Sequence, residues 1–115
     1  DLGRSVLERI TKDVPLPPAA ENISTDVKGK PGVSAHGADT VDKVLQFYRT
    51  TLRQRGWALA EKTKKVGQLE IRGITATRPK SPSYRVLLAP GPYLSEDGKK
   101  APKSTTIIIE PLNPK

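Results

Sequence analysis

The chain has 115 residues, no Cys, no Met, one Trp and one Phe, and a formal net charge of +8 from 20 Lys+Arg against 12 Asp+Glu. That length suits one domain, 1–115, around a single core. Without Cys there is no disulfide scaffold, thiol redox chemistry, cysteine nucleophile or thiolate-bound metal, and the single His36 rules out a His-rich metal centre.

The sequence starts at Asp1 and contains no Met, so it reads as a processed product or as part of a longer protein. No apolar run approaches the ~18 residues needed to span a bilayer, and no positive-then-apolar signal segment is present. Absence of Cys suits cytoplasm and periplasm alike.

In chain order, Leu2, Val6, Leu7 and Ile10 have helical spacing and predict a short helix over about 3–11. Val14-Pro15-Leu16-Pro17-Pro18 cannot continue it, because proline lacks the amide proton and restricts the residue before it. Residues 1–20 therefore read as a helix followed by a rigid strap across the core, in preference to a polyproline ligand for a partner. Two short strands are expected at Ile23–Val27 and Val33–Ala35, around a turn at Lys28-Gly29-Lys30-Pro31-Gly32.

The clearest element runs from Asp39 or Thr40 to Arg55. Val41, Val44, Leu45, Tyr48 and Leu52 fall on one stripe of an amphipathic helix. Asp39 is placed to cap it, Asp42 favours its positive end, and Gly56 follows where a left-handed residue is needed.

Strand patterns follow Gly56. Trp57, Leu59 and Thr63 alternate, and so do Leu69 and Ile71; at Gly73 the phase changes to Ile74 and Ala76, as a bulge would make it. Tyr84–Ala89 and Thr105–Glu110 are dense in Val, Leu and Ile, and the run Ile107-Ile108-Ile109 predicts a centrally placed strand. The Gly- and Pro-containing stretch from Pro90 to Lys103 reads as a long exposed hairpin loop. One well-formed helix among runs of strands predicts an α+β, two-layer domain: a mostly antiparallel sheet with the helix at about 40–55 packed on one face, plus the short N-terminal helix.

The reactive inventory is thin. Ser34, His36 and Asp39 invite a triad reading, but Ser34 and His36 would stand ~7 Å apart along an extended strand with no oriented third group. Glu61, Glu70 and Glu110 have basic neighbours that suit a solvated sheet rather than an acid pair. Gly98-Lys99-Lys100 lacks the spacing of a phosphate loop. No catalytic, cofactor-binding or metal-binding residue is assigned, and the protein is expected not to be an enzyme.

Charge is distributed unevenly. Residues 1–39 carry a net −1 and residues 40–115 a net +9. The surplus marks Arg49, Arg53, Lys62, Lys64, Lys65 and the loop around Tyr93, Lys99 and Lys100 as candidate contacts for a protein partner or an anionic polymer. A nucleic-acid-binding domain acting through phosphate contacts is the alternative, weakened because Trp57 and Tyr84 are needed in the core and leave no stacking platform.

Val14-Pro15-Leu16-Pro17-Pro18-Ala19-Ala20-Glu21-Asn22-Ile23, followed by Phe47-Tyr48-Arg49, Leu52 and Gly56-Trp57, resembles a loose group of small bacterial domains found in secreted or lipoprotein-like envelope proteins of unassigned function. The resemblance spans about residues 14–75. It implies an α+β fold and a periplasmic, envelope-associated or secreted location, and it carries over no catalytic residue. A lipid anchor would require a Cys upstream of Asp1.

Overall fold

A computed structural model describes residues 2–18, 20–27, 30–37, 39–67, 69–90 and 105–112. They form α1 (Leu2–Asp13), β1 (Glu21–Val27), β2 (Lys30–Gly37), α2 (Val41–Gln54), β3 (Ala58–Val66), β4 (Leu69–Thr77), β5 (Ser83–Pro90) and β6 (Thr105–Leu112). The six strands make one sheet in the order β1-β2-β6-β5-β4-β3, with every neighbouring pair antiparallel. The architecture is the expected α+β arrangement.

This order has two consequences. The last strand, β6, inserts between β2 and β5, so the two halves of the sheet meet only through the C-terminal segment. β2 and β3 lie four places apart in the sheet, and α2, which joins them, must cross its face.

Ile10 and Val14 from the N-terminal segment bury in the same cluster as Val44, Leu45, Tyr48 and Leu52 of α2, so both helices occupy one face. Beneath them lie Val33 of β2, Ile74 and Ala76 of β4, Tyr84, Val86 and Leu88 of β5, and Ile107 and Ile109 of β6. Fully burying a side chain such as Leu52 contributes about 1.5–3 kcal/mol. The prolines end α1 as expected, although the helix runs two residues further, to Asp13, and Val14 N–H still donates to Ile10 O at 2.8 Å. Val14 is fully buried and Leu16 packs against the core, as a strap would.

α2 ends in a complete Schellman closure. Trp57 N–H donates to Leu52 O at 3.0 Å and Gly56 N–H to Arg53 O at 3.1 Å, with Gly56 at φ +87°. Its start differs from expectation. Thr40, not Asp39, is the N-cap: its backbone is extended (φ −66°, ψ 162°) and its hydroxyl accepts from Lys43 N–H at 3.4 Å. Asp39 contributes its backbone carbonyl, which accepts from the buried Thr105 hydroxyl at 2.7 Å and ties the helix start to β6.

The strands correct two further expectations. β4 pairs with β3 and β5 straight through Gly73 without a shift of register, so there is no bulge there. The change of phase arises because Ile74 and Ala76 face the helices while Ile71 faces the other side, where the Leu87 side chain lies over Gly73. Irregular pairing belongs instead to β1, between Glu21 and Asp26. β1 and β2 meet at Val27↔Lys30, so Lys30, Pro31 and Gly32 belong to β2 and not to the turn. Pro31 stands outside the stretch Val33–Gly37 that pairs with β6, so its missing N–H interrupts no bond to that strand.

β6 is central, and the run Ile107-Ile108-Ile109 serves both faces: Ile107 and Ile109 are fully buried under the helices, and Ile108 lies beside Leu87 on the opposite face. The expected loop from Pro90 to Lys103 falls almost wholly outside the described residues.

Candidate binding edge

β3 is the outermost strand on its side of the sheet, and nothing among the described residues pairs with its free edge. Its pairing with β4 is unbroken from Ala58↔Thr77 to Val66↔Leu69. Side chains alternate between faces along such a strand. Leu59 packs against the core and Glu61 meets α2, so Thr63 and Lys65 also face the helix side, whereas Lys62 and Lys64 face the other side with Ala58 and Ala60.

The basic residues singled out from sequence therefore separate. Arg49 lies on α2 and grips Glu61 with a bidentate pair, Nε to Oε2 at 2.8 Å and Nη2 to Oε1 at 2.7 Å. That hydrogen bond, helped by the guanidinium charge, holds the Glu61 carboxyl below the usual carboxylate range and raises Arg49 further. Arg53, one turn on from Arg49, is exposed and adds to the positive field at Glu61. Lys65 stands opposite Glu70 across the β3–β4 pair. Lys62 and Lys64 stand opposite Gly73 and Ile71, away from the helices. The five residues gather along one edge rather than on one flat face, and Arg49 is already engaged. Tyr93, Lys99 and Lys100 lie outside the described residues.

The three glutamates weighed as acids are separate and each holds an arginine: Glu61 with Arg49, Glu70 with Arg72 at 3.1 Å, and Glu110 with Arg85 at 2.7 Å. Ser34 and His36 lie on the side of β2 away from the helices, opposite Ile108 and Thr106 of β6. Asp39 lies beyond the strand, its carbonyl bonded to Thr105. Among the described residues no group of three or more His, Asp or Glu is placed to hold a metal ion.

A second cluster, not anticipated from sequence, surrounds Trp57. Arg78 lies over the indole at 4.1 Å, donates Nη1–H to Arg55 O at 2.9 Å and approaches Asp13 at 3.6 Å. Tyr84 meets the indole edge-on at 5.7 Å and donates its hydroxyl to Asp13 Oδ2 at 2.7 Å, while Arg55 Nη1–H donates to Lys12 O at 2.9 Å. Burial and then the hydrogen bond to Asp13 push the Tyr84 hydroxyl up to about 12. It stays protonated at neutral pH as a donor. The cluster fastens the ends of α1 and α2 to the β4–β5 turn, with the Trp57 Nε1–H at its centre buried and without a hydrogen-bond partner among the described residues.

Comparison with protein-family models, with curated proteins and with solved structures gave no match. No helix among the described residues is long and apolar enough to cross a membrane.

Proposed function

We propose that the protein is a non-enzymatic binding module of a larger bacterial envelope or secreted protein, and that it contacts an acidic protein segment or anionic polymer along β3. One observation carries this reading. Lys62, Lys64 and Lys65 are exposed on an edge strand with which no other described strand pairs on its outer side, and whose one carboxylate, Glu61, is neutralised by Arg49. A field of one sign on an accessible edge attracts an oppositely charged chain and strengthens its encounter at low salt. The envelope setting rests on the resemblance of residues 14–75, and the non-enzymatic reading on the thin inventory of reactive side chains.

Binding of labelled polyglutamate and of a single-stranded oligonucleotide, measured over a salt series, tests the proposal. Polyglutamate should bind at low salt, and Lys62→Gln/Lys64→Gln/Lys65→Gln should weaken it by about tenfold or more and flatten its salt dependence, since each charge contact removed lowers the slope with salt. An Arg85→Gln control on β5, two strands in from the β3 edge, should leave binding unchanged. Equal binding by the triple variant would remove β3 as the contact. Preference for the oligonucleotide would turn the reading towards nucleic acid.

A further inference from the structure

β3 offers more than charge. An edge strand leaves a row of backbone N–H and C=O groups unpaired, and an antiparallel neighbour bonds to both groups of alternate residues. The nine residues of β3 pair with β4 without interruption, and Ala58 and residues 60–65 are exposed along the free side. About four residues thus have both backbone groups available to one further strand. No bulge, proline or described element blunts the edge; its lysines alone do.

Those lysines choose the occupant. A second copy related by a two-fold axis perpendicular to the sheet would keep its faces aligned, so each residue would meet one an even number of places away. Centring the axis on residue 61 places Glu61 against Glu61; centring it on 62, 64 or 65 places lysine against itself. Centred on Thr63, Lys62 and Lys64 oppose each other twice, and the Glu61 that would face Lys65 is already held by Arg49. Like charges directly opposite are destabilising. A register centred on Ala60 escapes this, but it pairs only Ala58 to Lys62 and sets Leu59 against Glu61. The same pattern favours an extended strand with carboxylates at alternate positions, opposite Lys62 and Lys64 on one face of the sheet.

We infer that β3 accepts an acidic, extended segment of a protein partner as a seventh strand, with backbone bonds supplying affinity and Lys62 and Lys64 selecting alternate carboxylates. The inference rests on the reading of β3 as a basic contact edge and specifies how that contact is made.

Three synthetic peptides of about eight residues, long enough for a typical strand, test it against the full chain at low salt: alternating Thr-Glu, the same sequence N-methylated at every residue, and alternating Thr-Lys. The first should bind, shift the amide resonances of residues 58–66 and slow their hydrogen exchange. The N-methylated peptide keeps the charge and loses every donor, so it should bind about tenfold more weakly or less. The Thr-Lys peptide should not bind, and Lys62→Gln/Lys64→Gln should weaken binding of the first by about tenfold and narrow its preference over Thr-Lys, without lowering Tm. Equal affinity for the N-methylated peptide would overturn strand addition while leaving an electrostatic contact. Shifts centred on another element would overturn the site, and self-association that excludes the peptide would assign the edge to a second copy. Failure of the peptides and of polyglutamate together would overturn the reading of β3 as a basic contact edge.

Discussion

Tyr48 shows how one atom can oppose the packing of its own side chain. The ring is fully buried and stacks edge-on with Phe47 at 5.1 Å, yet its hydroxyl has no hydrogen-bond partner among the described residues. Burial alone holds that hydroxyl well above its ordinary pKa. A buried hydroxyl without a partner costs about 1–3 kcal/mol of desolvation, whereas the ring contributes through area. Tyr48→Phe should therefore keep or raise stability, by up to about 1 kcal/mol, in chemical denaturation. A loss of more than about 1 kcal/mol would show that the hydroxyl has a partner in solution. Helical spacing was enough to place this residue in the core; whether its polar atom would be satisfied depends on neighbours from other elements.

At the scale of elements, α2 was the most legible part of the chain because its stripe, its first turn and its stop are all local. Its stop is also the most fragile part. Gly56 sits at φ +87°, where a Cβ would meet little but Arg78 Cδ at 3.9 Å, so the penalty for a side chain is conformational rather than steric crowding. Gly56→Ala should cost about 1–2 kcal/mol, the price of a left-handed alanine, and a midpoint shift in urea with an unchanged m-value would show it. An unchanged midpoint would mean that the Schellman closure rearranges freely. The cap at the other end was harder to read, since Asp39 and Thr40 are both good capping residues and the choice fell to Thr40 once Thr105 had engaged the Asp39 carbonyl. The strands were legible in position and less so in extent. Apolar residues on both faces of β4 imitate a bulge at Gly73, because a period-two pattern loses its phase when neither face is wholly polar.

Across the whole molecule, the Trp57 cluster closes the layer of helices onto the sheet. Tyr84 and Asp13 are far apart in sequence and bonded at 2.7 Å, so α1 is held to β5 by a contact whose strength depends on proton occupancy. The Tyr84 hydroxyl is raised in the fold to about 12, and an unfolded tyrosine titrates near ~10. Its contribution to stability is therefore complete below pH ~10 and is lost as pH rises towards 12. Relative to Tyr84→Phe, the wild-type protein should be more stable by about 1–2 kcal/mol near neutrality, and the difference should shrink across that alkaline window. A difference that stays constant through pH 12 would refute the linkage. At the acidic end the sign reverses: Glu61 is held low by Arg49, so that pair stabilises above the ordinary carboxylate range and is lost as pH falls below it.

The candidate site was legible in charge and not in geometry. The surplus after residue 39 located the lysines of β3, but it also included Arg49, whose guanidinium proves committed to Glu61 across two elements. Nothing local links the two residues, since the pair forms only after α2 crosses the sheet and β3 comes to lie beneath it.

By itself, the sequence determined the helical and strand segments, the proline strap, the Gly56 stop and the scarcity of reactive side chains. Each follows from propensity, period or composition within a short window. Tertiary structure decided that β6 enters the middle of the sheet, that β3 is left at its edge, that Lys62 and Lys64 face away from Lys65, and that Arg49 is engaged. Strand order is set by which hydrophobic faces can be buried together, a property of the whole chain, and it turned a global excess of positive charge into one basic edge.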